Sequence, residues 1–282
     1  MTSLGELWRW ASSELAAAGI EQPQRDARLL IEMATGFDAA QVIAYPEREL
    51  EEGQRLATVA LIERRKRREP VSRILGRREF WSLQFKVSKD TLDPRPDSET
   101  LIEAVLERIP DRQAAISLLD FGTGTGCLVL ALLSELPHAQ GIGVDVSSGA
   151  LVTARENAAD LGLSQRVAFK RGHWGLGLDG AFDVIVSNPP YIEAAVVATL
   201  EPEVARHDPR LALDGGTDGL DAYRALAMDA RRLLRRGGFM ALEIGAGQGD
   251  SVRKIMVCSD LSNAGSRRDL GGVERCLLFE KV

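Results

Sequence analysis

The sequence predicts an α/β protein: a doubly wound, mostly parallel sheet preceded by a small all-helical domain. Three observations carry that reading. Up to about residue 75, apolar side chains recur on the 3.6-residue period alone. From about residue 114, short apolar runs alternate with amphipathic segments, the pattern of strands crossed over by helices. The first of those runs, LLDF, passes directly into GTGTG and a helix start, and doubly wound sheets bind ligands at such strand ends.

The helical region is justified piece by piece. SLGELWRWASSELAAAG sets Leu4, Leu7, Trp8 and Leu15 near one face, and Ser3 with Glu6 resembles a capping box. QRDARLLIEMATG is a second helix closed by Gly36. Asp38 can cap a short third, DAAQVIAY. ELEEGQRLATVALIERRKRR is a long fourth that ends in the basic run Arg64 to Arg68. Two readings of that run stand: a solvated helix end whose cations offset the dipole, or a contact for an acidic or RNA-bearing partner.

The period then changes. In FWSLQFKVS, Trp81, Leu83, Phe85 and Val87 alternate with polar residues, as in a half-buried strand that forms a hairpin with its flanks. DPRPDSE reads as a rigid linker in which Ser98 caps the helix ETLIEAVLERI. Beyond it, AISLLDF, QGIGVDV, RVAFKRG, FDVIVS and GFMALEI are strands. CLVLALLSEL, ALVTARENAADLG, LDAYRALAMDARRLL and GDSVRKIMV are the helices between them. A final strand near RCLLFEK is expected at an edge. The stretch 192–219 is long and irregular, which marks functional loops. The expected boundaries are 1–75, a hairpin connector over 76–96, and 97–282.

Bulk composition excludes several classes. Among 282 residues, 45% are hydrophobic and 27% charged, ordinary globular material. A net charge of -6 argues against broad phosphate-backbone binding. Cys127, Cys258 and Cys276 are widely spaced, with neither metal-ligand spacing nor a disulfide framework. No membrane span or signal peptide is expected, so the expected location is the cytoplasm.

Two stretches carry chemistry. Gly122, Thr123, Gly124, Thr125 and Gly126 turn the chain sharply and open main-chain N–H groups to a ligand. Asp145 ends the next predicted strand, where a carboxylate can accept both hydroxyls of a ribose. Together they indicate a nucleoside-containing cofactor, and a nicotinamide oxidoreductase would use the same acid. The second stretch is Asn188-Pro189-Pro190-Tyr191, directly after FDVIVS. Prolines end a strand abruptly, so a plain strand-ending turn is one reading. The other is an amide-binding site. Asn188 Oδ1 and the Pro189 carbonyl can each accept one N–H of a planar –NH2 group, and Tyr191 can stack on it. A methyl sulfonium fits as the electrophile, which points to S-adenosylmethionine. No general base is needed before transfer, because alignment and placed acceptors supply the catalysis.

GTGTG, VDVS with ARENA, and VSNPPYI resemble the class I amino methyltransferases. PVSRILGRREFWSLQFKV followed by DPRPDSE, then RLALDGGTDGLDAYR and FMALEIGAGQGDSV, resemble the HemK-type protein glutamine-N5 methyltransferases over nearly the whole chain. That resemblance implies methylation of the glutamine side-chain amide in the Gly-Gly-Gln loop of peptide-chain release factors. It implies that residues 1–75 dock the substrate and that 97–282 form the catalytic domain. It implies cofactor contacts from Gly122 to Gly126, Asp145, Trp174 and Asn188, and glutamine contacts from Asn188, Pro189, Pro190 and Tyr191, of which Asn188, Pro189 and Tyr191 are catalytic. Arg95 is expected at the substrate, supported by Glu99, though a surface ion pair in the linker explains both equally. His173 stands where the family often has an acid, Asp93 where an apolar residue is usual, and Cys127 reads as packing. His207 and Asp208 receive no catalytic role. An N-methyltransferase for a nucleic-acid base shares the same four-residue turn and is the alternative. A scaffold that has lost catalysis is the third reading, opposed by the intact turn and glycine loop.

Overall fold

The computed structural model describes residues 3–281; Met1, Thr2 and Val282, at the outer ends of the first and last expected domains, lie outside the described residues. The chain divides into two compact units, residues 1–77 with 202–207 and residues 78–201 with 208–282.

In the first unit, α1 (Leu4–Ala17) starts at Ser3, whose Oγ accepts from Glu6 N at 3.3 Å while the Glu6 carboxylate accepts from Ser3 N. Both orphan donors of the capping box are thereby satisfied. α2 (Pro23–Thr35) stops at Gly36, which is left-handed, and α3 (Ala39–Ala44) is capped by Asp38. α4 (Glu52–Lys66) and a five-residue α5 (Val71–Leu75) complete the bundle. Leu4, Leu7 and Leu15 are wholly buried, as are Leu30, Ile31 and Ile62 facing them. Each such side chain contributes about 1.5–3 kcal/mol by leaving water.

The basic run departs from expectation. It is a network of ion pairs inside this unit. Arg65, buried, donates to Asp26 at 2.8 Å and to Glu203 at 2.9 Å. Arg68 reaches Glu203 at 2.7 Å, Arg64 pairs with Glu69, and Lys66 bridges Glu14 and Glu63. Glu203 belongs to a short helix, Pro202–His207, that the chain lends to this unit from far along its length.

The second unit opens with a hairpin. β1 (Arg77–Phe80) and β2 (Leu83–Lys86) pair across Trp81 and Ser82, both left-handed at φ 52° and 56°. Two positive φ values in a two-residue turn match the twist of the flanking strands. A 3-10 turn, Pro96–Ser98, leads into α6 (Glu99–Arg108). Then follow β3 (Ser117–Phe121), α7 (Cys127–Glu135), β4 (Gln140–Asp145), α8 (Ser148–Asp160), β5 (Val167–Arg171) and β6 (Phe182–Ser187). The helix lent to the first unit is α9 (Pro202–His207). After it come α10 (Asp221–Leu233), β7 (Leu234–Glu243), α11 (Gly249–Val257), β8 (Ser262–Arg268) and β9 (Glu274–Glu280).

Seven strands of the described residues form one sheet in the order β5-β4-β3-β6-β7-β9-β8. The first five are parallel to one another, and β9 runs antiparallel to β7 on one side and β8 on the other. RCLLFEK therefore lies inside the sheet, and the edge belongs to β8, SNAGSRR, a strand with no apolar alternation. An edge strand with no fully buried residue has no buried side to impose a period of two, and charged side chains suit such an edge. Helices cover both faces. Leu118, Val184, Val186, Ala241 and Leu278 face one core with α6 and α7. Leu119, Ile185, Met240, Leu242 and Leu277 face the other with α10 and α11. Strand order reverses between β3 and β6, and at such a switch point neighbouring loops diverge and leave a crevice at the carboxyl ends.

Candidate active site

The crevice at the ends of β3, β4 and β6 is a cavity of about 410 Å³, within the size range of small-molecule sites. Gly122, Gly124 and Gly126 hold φ of 68°, 55° and 81°. Three left-handed residues at alternate positions explain why glycine recurs at that spacing. Gly122 N and Thr123 N both donate to Val144 O, which ties the turn to β4. Asp145 closes it, accepting from Gly124 N and Ser147 N at 2.9 Å each. Burial raises the Asp145 pKa. A carboxylate has about four acceptor sites, so Asp145 keeps acceptor capacity for a ribose beyond its backbone bonds.

Asn157, in the ARENA stretch, is wholly buried and joins this turn to the hairpin. Its Oδ1 accepts from Lys86 N at 2.7 Å, and its Nδ2 donates to Lys86 O and to Thr125 O. Trp174 is held left-handed at φ 50°, with its ring edge-on to Phe121 and 3.6 Å from where a Cβ on Gly122 would stand. A bulky residue in that region is strained and persists only where its surroundings over-determine it. His173 beside it is exposed.

Asn188 follows β6 at the switch point. Its Nδ2 donates to Ser98 Oγ at 3.1 Å, and Ser98 Oγ donates to Glu243 Oε2 at 2.5 Å. The Tyr191 hydroxyl stands 3.5 Å from Glu243 Oε1. Burial pushes Glu243 up to about 7 and Tyr191 up to about 12. The GGTDGL stretch braces the turn from behind. Gly215 N donates to Ile192 O, Ile192 N donates to Leu213 O, and Gln248 Nε2 donates to Tyr191 O. A Cβ on Gly215 would meet Pro190 O at 2.8 Å, and one on Gly219 would meet Tyr191 O at 2.5 Å. Only glycine allows this approach.

Of the residues expected at the site, Gly122, Thr123, Gly124, Thr125, Asp145, Trp174, Asn188, Pro190 and Arg95 line the cavity. Gly126, Pro189 and Tyr191 do not; Gly126 starts α7, Pro189 is buried, and Tyr191 packs toward the core. Arg95 pairs with Asp208 at 2.6 Å, and Glu99 accepts from Trp81 N at 2.8 Å. Ser98 stands at the N-cap of α6, but its hydroxyl makes no capping bond and serves Glu243 and Asn188 instead.

Several residues at the site escaped the sequence. Asp120, fully buried, accepts from Thr123 Oγ1 at 2.7 Å and is pushed up to about 7 by burial. Glu243 is an acid inside the apolar run FMALEI, and a charge where every neighbour is buried was the available signal. Asp208, passed over as non-catalytic, is the partner of Arg95. Cys127 is half-buried, packing against the core and lining the cavity, and burial pushes its thiol up to about 12.

The chain matches the family described as PrmC N-terminal domain over residues 6–76 and that described as methyltransferase small domain over residues 79–211. A relative from Caulobacter vibrioides named release factor glutamine methyltransferase is 46% identical over 99% of this chain and 96% of its own length. One of the same name from Rhodospirillum rubrum is 48% identical over 99% of this chain and 85% of its own. A methyltransferase from Pyrococcus furiosus superposes with a TM-score of 0.52 at 19% identity, covering 71% of this chain and 89% of its own. The catalytic domain of hMettl16 superposes at 0.57 and 14% identity, covering 84% and 85%. These structures share the class I methyltransferase fold. The identity to the two curated relatives extends over both units, and the chain belongs to the family of release factor glutamine methyltransferases.

Proposed function

We propose that this chain methylates the side-chain amide nitrogen of the glutamine in the Gly-Gly-Gln loop of peptide-chain release factors. The observation that supports this reading best is the Asn188 amide, whose nitrogen end is spent on Ser98 at 3.1 Å beside the cavity. Its oxygen end then serves as an acceptor for an incoming amide.

The cofactor is S-adenosylmethionine, and the cavity fits it. The glycine turn gives close backbone approach, Asp145 keeps acceptor capacity, and Trp174 supplies a flat apolar wall. Bound there, S-adenosylmethionine supplies an electrophilic methyl group on a sulfonium. The protein's part is orientation. Asn188 Oδ1 and the Pro189 carbonyl accept the two N–H groups of the glutamine, which fixes the nitrogen and favours positive charge on it. Pro190 keeps the segment stiff, and Tyr191 supports it from the core side. Arg95, on the cavity wall, meets the substrate loop. The amide proton leaves to water after transfer, so no general base is assigned.

Residues 1–75 dock the protein substrate, 76–96 connect, and 97–282 carry catalysis. Among the described residues, no helix is long and apolar enough to cross a membrane. The cytoplasm, where release factors act, is the location this reading implies. Purified protein with methyl-labelled S-adenosylmethionine is offered a release factor, duplex DNA and ribosomal RNA in parallel. One methyl on the glutamine of Gly-Gly-Gln, absent with Asn188→Ala, is the expected result. Label on a nucleic acid instead overturns the substrate and leaves base methylation.

A further inference from the structure

The geometry assigns Ser98 and Glu243 a positioning role: a carboxylate-to-hydroxyl relay from β7 decides which end of the Asn188 amide faces the substrate. This rests on Asn188 being the acceptor for the glutamine amide.

The relay is a matter of counting protons. Ser98 has a single hydroxyl hydrogen, and Glu243 Oε2 takes it. An ionised carboxylate only accepts, so that hydrogen cannot turn elsewhere. What Ser98 then offers Asn188 is a lone pair, and a lone pair selects the –NH2 end of the amide. The oxygen end is left for the substrate. The reversed amide would aim two N–H donors at the glutamine –NH2, which opposes binding and the charge that develops in transfer. Both positioning groups are buried, Ser98 at 3% and Glu243 at 2% exposure, so water does not replace either bond.

Protonation of Glu243 is the switch in this arrangement. A neutral carboxyl carries its own donor, which frees the Ser98 hydrogen to turn toward Asn188. The groups that face Glu243 are Asp97 beside Ser98, Arg275 and Cys276 on β9, Tyr191 after β6, Tyr223 on α10 and Cys127 on α7. The Tyr223 hydroxyl donates to the Glu243 main-chain carbonyl at 3.0 Å and leaves the carboxylate to Ser98 on Oε2 and Tyr191 on Oε1. Burial, joined by Asp97, pushes the carboxyl up to about 7 against Ser98 and Arg275, which lower it. A raised pKa in an acid means the ionised form, and with it the set relay, is complete only above that value. Turnover therefore falls as pH drops through about 7.

The test compares the intact wild-type protein with Ser98→Ala, Ser98→Thr, Glu243→Gln and Asn188→Ala. It measures kcat and KM for a release factor from pH 6 to 9, and Kd for S-adenosylmethionine by calorimetry. Ser98→Ala is expected to lower kcat about tenfold, the scale of one hydrogen bond, with Kd for the cofactor within about twofold of wild type. Ser98→Thr, which keeps a hydroxyl, recovers most of that loss. The wild-type acid limb near pH 7 is absent in Glu243→Gln. If Asn188→Ala is inactive while Ser98→Ala and Glu243→Gln keep wild-type kcat and the same pH profile, the relay is wrong and the reading of Asn188 stands. If Asn188→Ala itself keeps full activity, the proposed role of Asn188 falls and the relay falls with it. Loss of cofactor binding in both Ser98 variants would mark Ser98 as structural support and also overturn the relay.

Discussion

Arg95 Nη2 lies 2.6 Å from Asp208 Oδ2, which joins the strap before α6 to the loop whose Pro209, Leu211 and Ala212 line the cavity. The two ends differ in exposure: the Asp208 side chain is 2% exposed and that of Arg95 37%. Removing the arginine leaves a buried carboxylate without that partner, while a half-exposed partner keeps some solvation of its own. Arg95→Ala should destabilise the protein by about 1–2 kcal/mol, between the values for surface and buried pairs. It should raise KM for the release factor more than it lowers kcat, because a cavity wall loosens while the Asn188 turn is untouched. Denaturant unfolding and steady-state kinetics on one preparation read both effects. An unchanged KM would remove Arg95 from the substrate site.

Gly219→Ala places a Cβ 2.5 Å from Tyr191 O in a left-handed backbone at φ 72°. The turn that carries Asn188 must shift to admit it. A fall in kcat of at least about tenfold is expected, with a stability loss of about 2–3 kcal/mol from strain and overpacking. Gly237 is the matched control: its φ is 73°, with nothing within 4 Å of the added Cβ. Gly237→Ala should cost about 1 kcal/mol and leave methylation at the wild-type rate. Equal kinetic losses in the two variants would show that backbone strain, rather than contact with the turn, controls activity.

Asn157→Ala strands the buried carbonyl of Thr125 and removes the partner of the part-buried N–H and carbonyl of Lys86. Each orphaned group costs about 1–3 kcal/mol, so a total near 3 kcal/mol is expected after partial relaxation. The glycine turn loses its anchor at Thr125, and affinity for S-adenosylmethionine should weaken severalfold. Calorimetric titration checks the affinity, and chemical denaturation the stability. Intact affinity would limit Asn157 to holding the hairpin.

The acid stability of the first unit follows from two glutamates. Burial raises the Glu203 pKa, but the bonds from Arg68 and Arg65 outweigh it and hold the group below its ordinary 4.5. The Arg64 bond likewise holds Glu69 below 4.5. A depressed acid contributes stability that is full above its unfolded pKa and lost as pH falls through the folded one. The contribution of these two glutamates to thermal stability should hold steady from neutral pH to about 4.5 and then decline. Glu203→Gln should start from a lower Tm at pH 7 and decline less steeply. Parallel slopes for the two proteins would exclude Glu203 from the effect.

What could be read in the sequence was local. The GTGTG turn, Asp145 and Asn188-Pro189-Pro190-Tyr191 each announce themselves within a few residues, because turn chemistry and strand endings are short-range. The central strands β3 and β6 were legible because burial on both faces demands continuous apolar runs. β8 was not, since an edge strand of Ser, Asn, Gly and Arg carries no burial pattern. The partners of the site were hidden for a different reason. Ser98 and Glu243 are 145 residues apart and meet only once the sheet is assembled. A serine before a helix reads as a cap by every local rule. Asp208 looked idle because its partner, Arg95, is 113 residues away in the chain.

The helix that the chain lends back to its first unit sets an order of events during synthesis. Arg65 and Glu203 are 138 residues apart, so the N-terminal bundle leaves the ribosome well before its last acidic partner exists. Arg68 and half of the Arg65 pairing wait for that segment, by which time the strands carrying the glycine turn and Asn188 have already been made. The bundle is thus the first part of the molecule to begin folding and among the last to be finished.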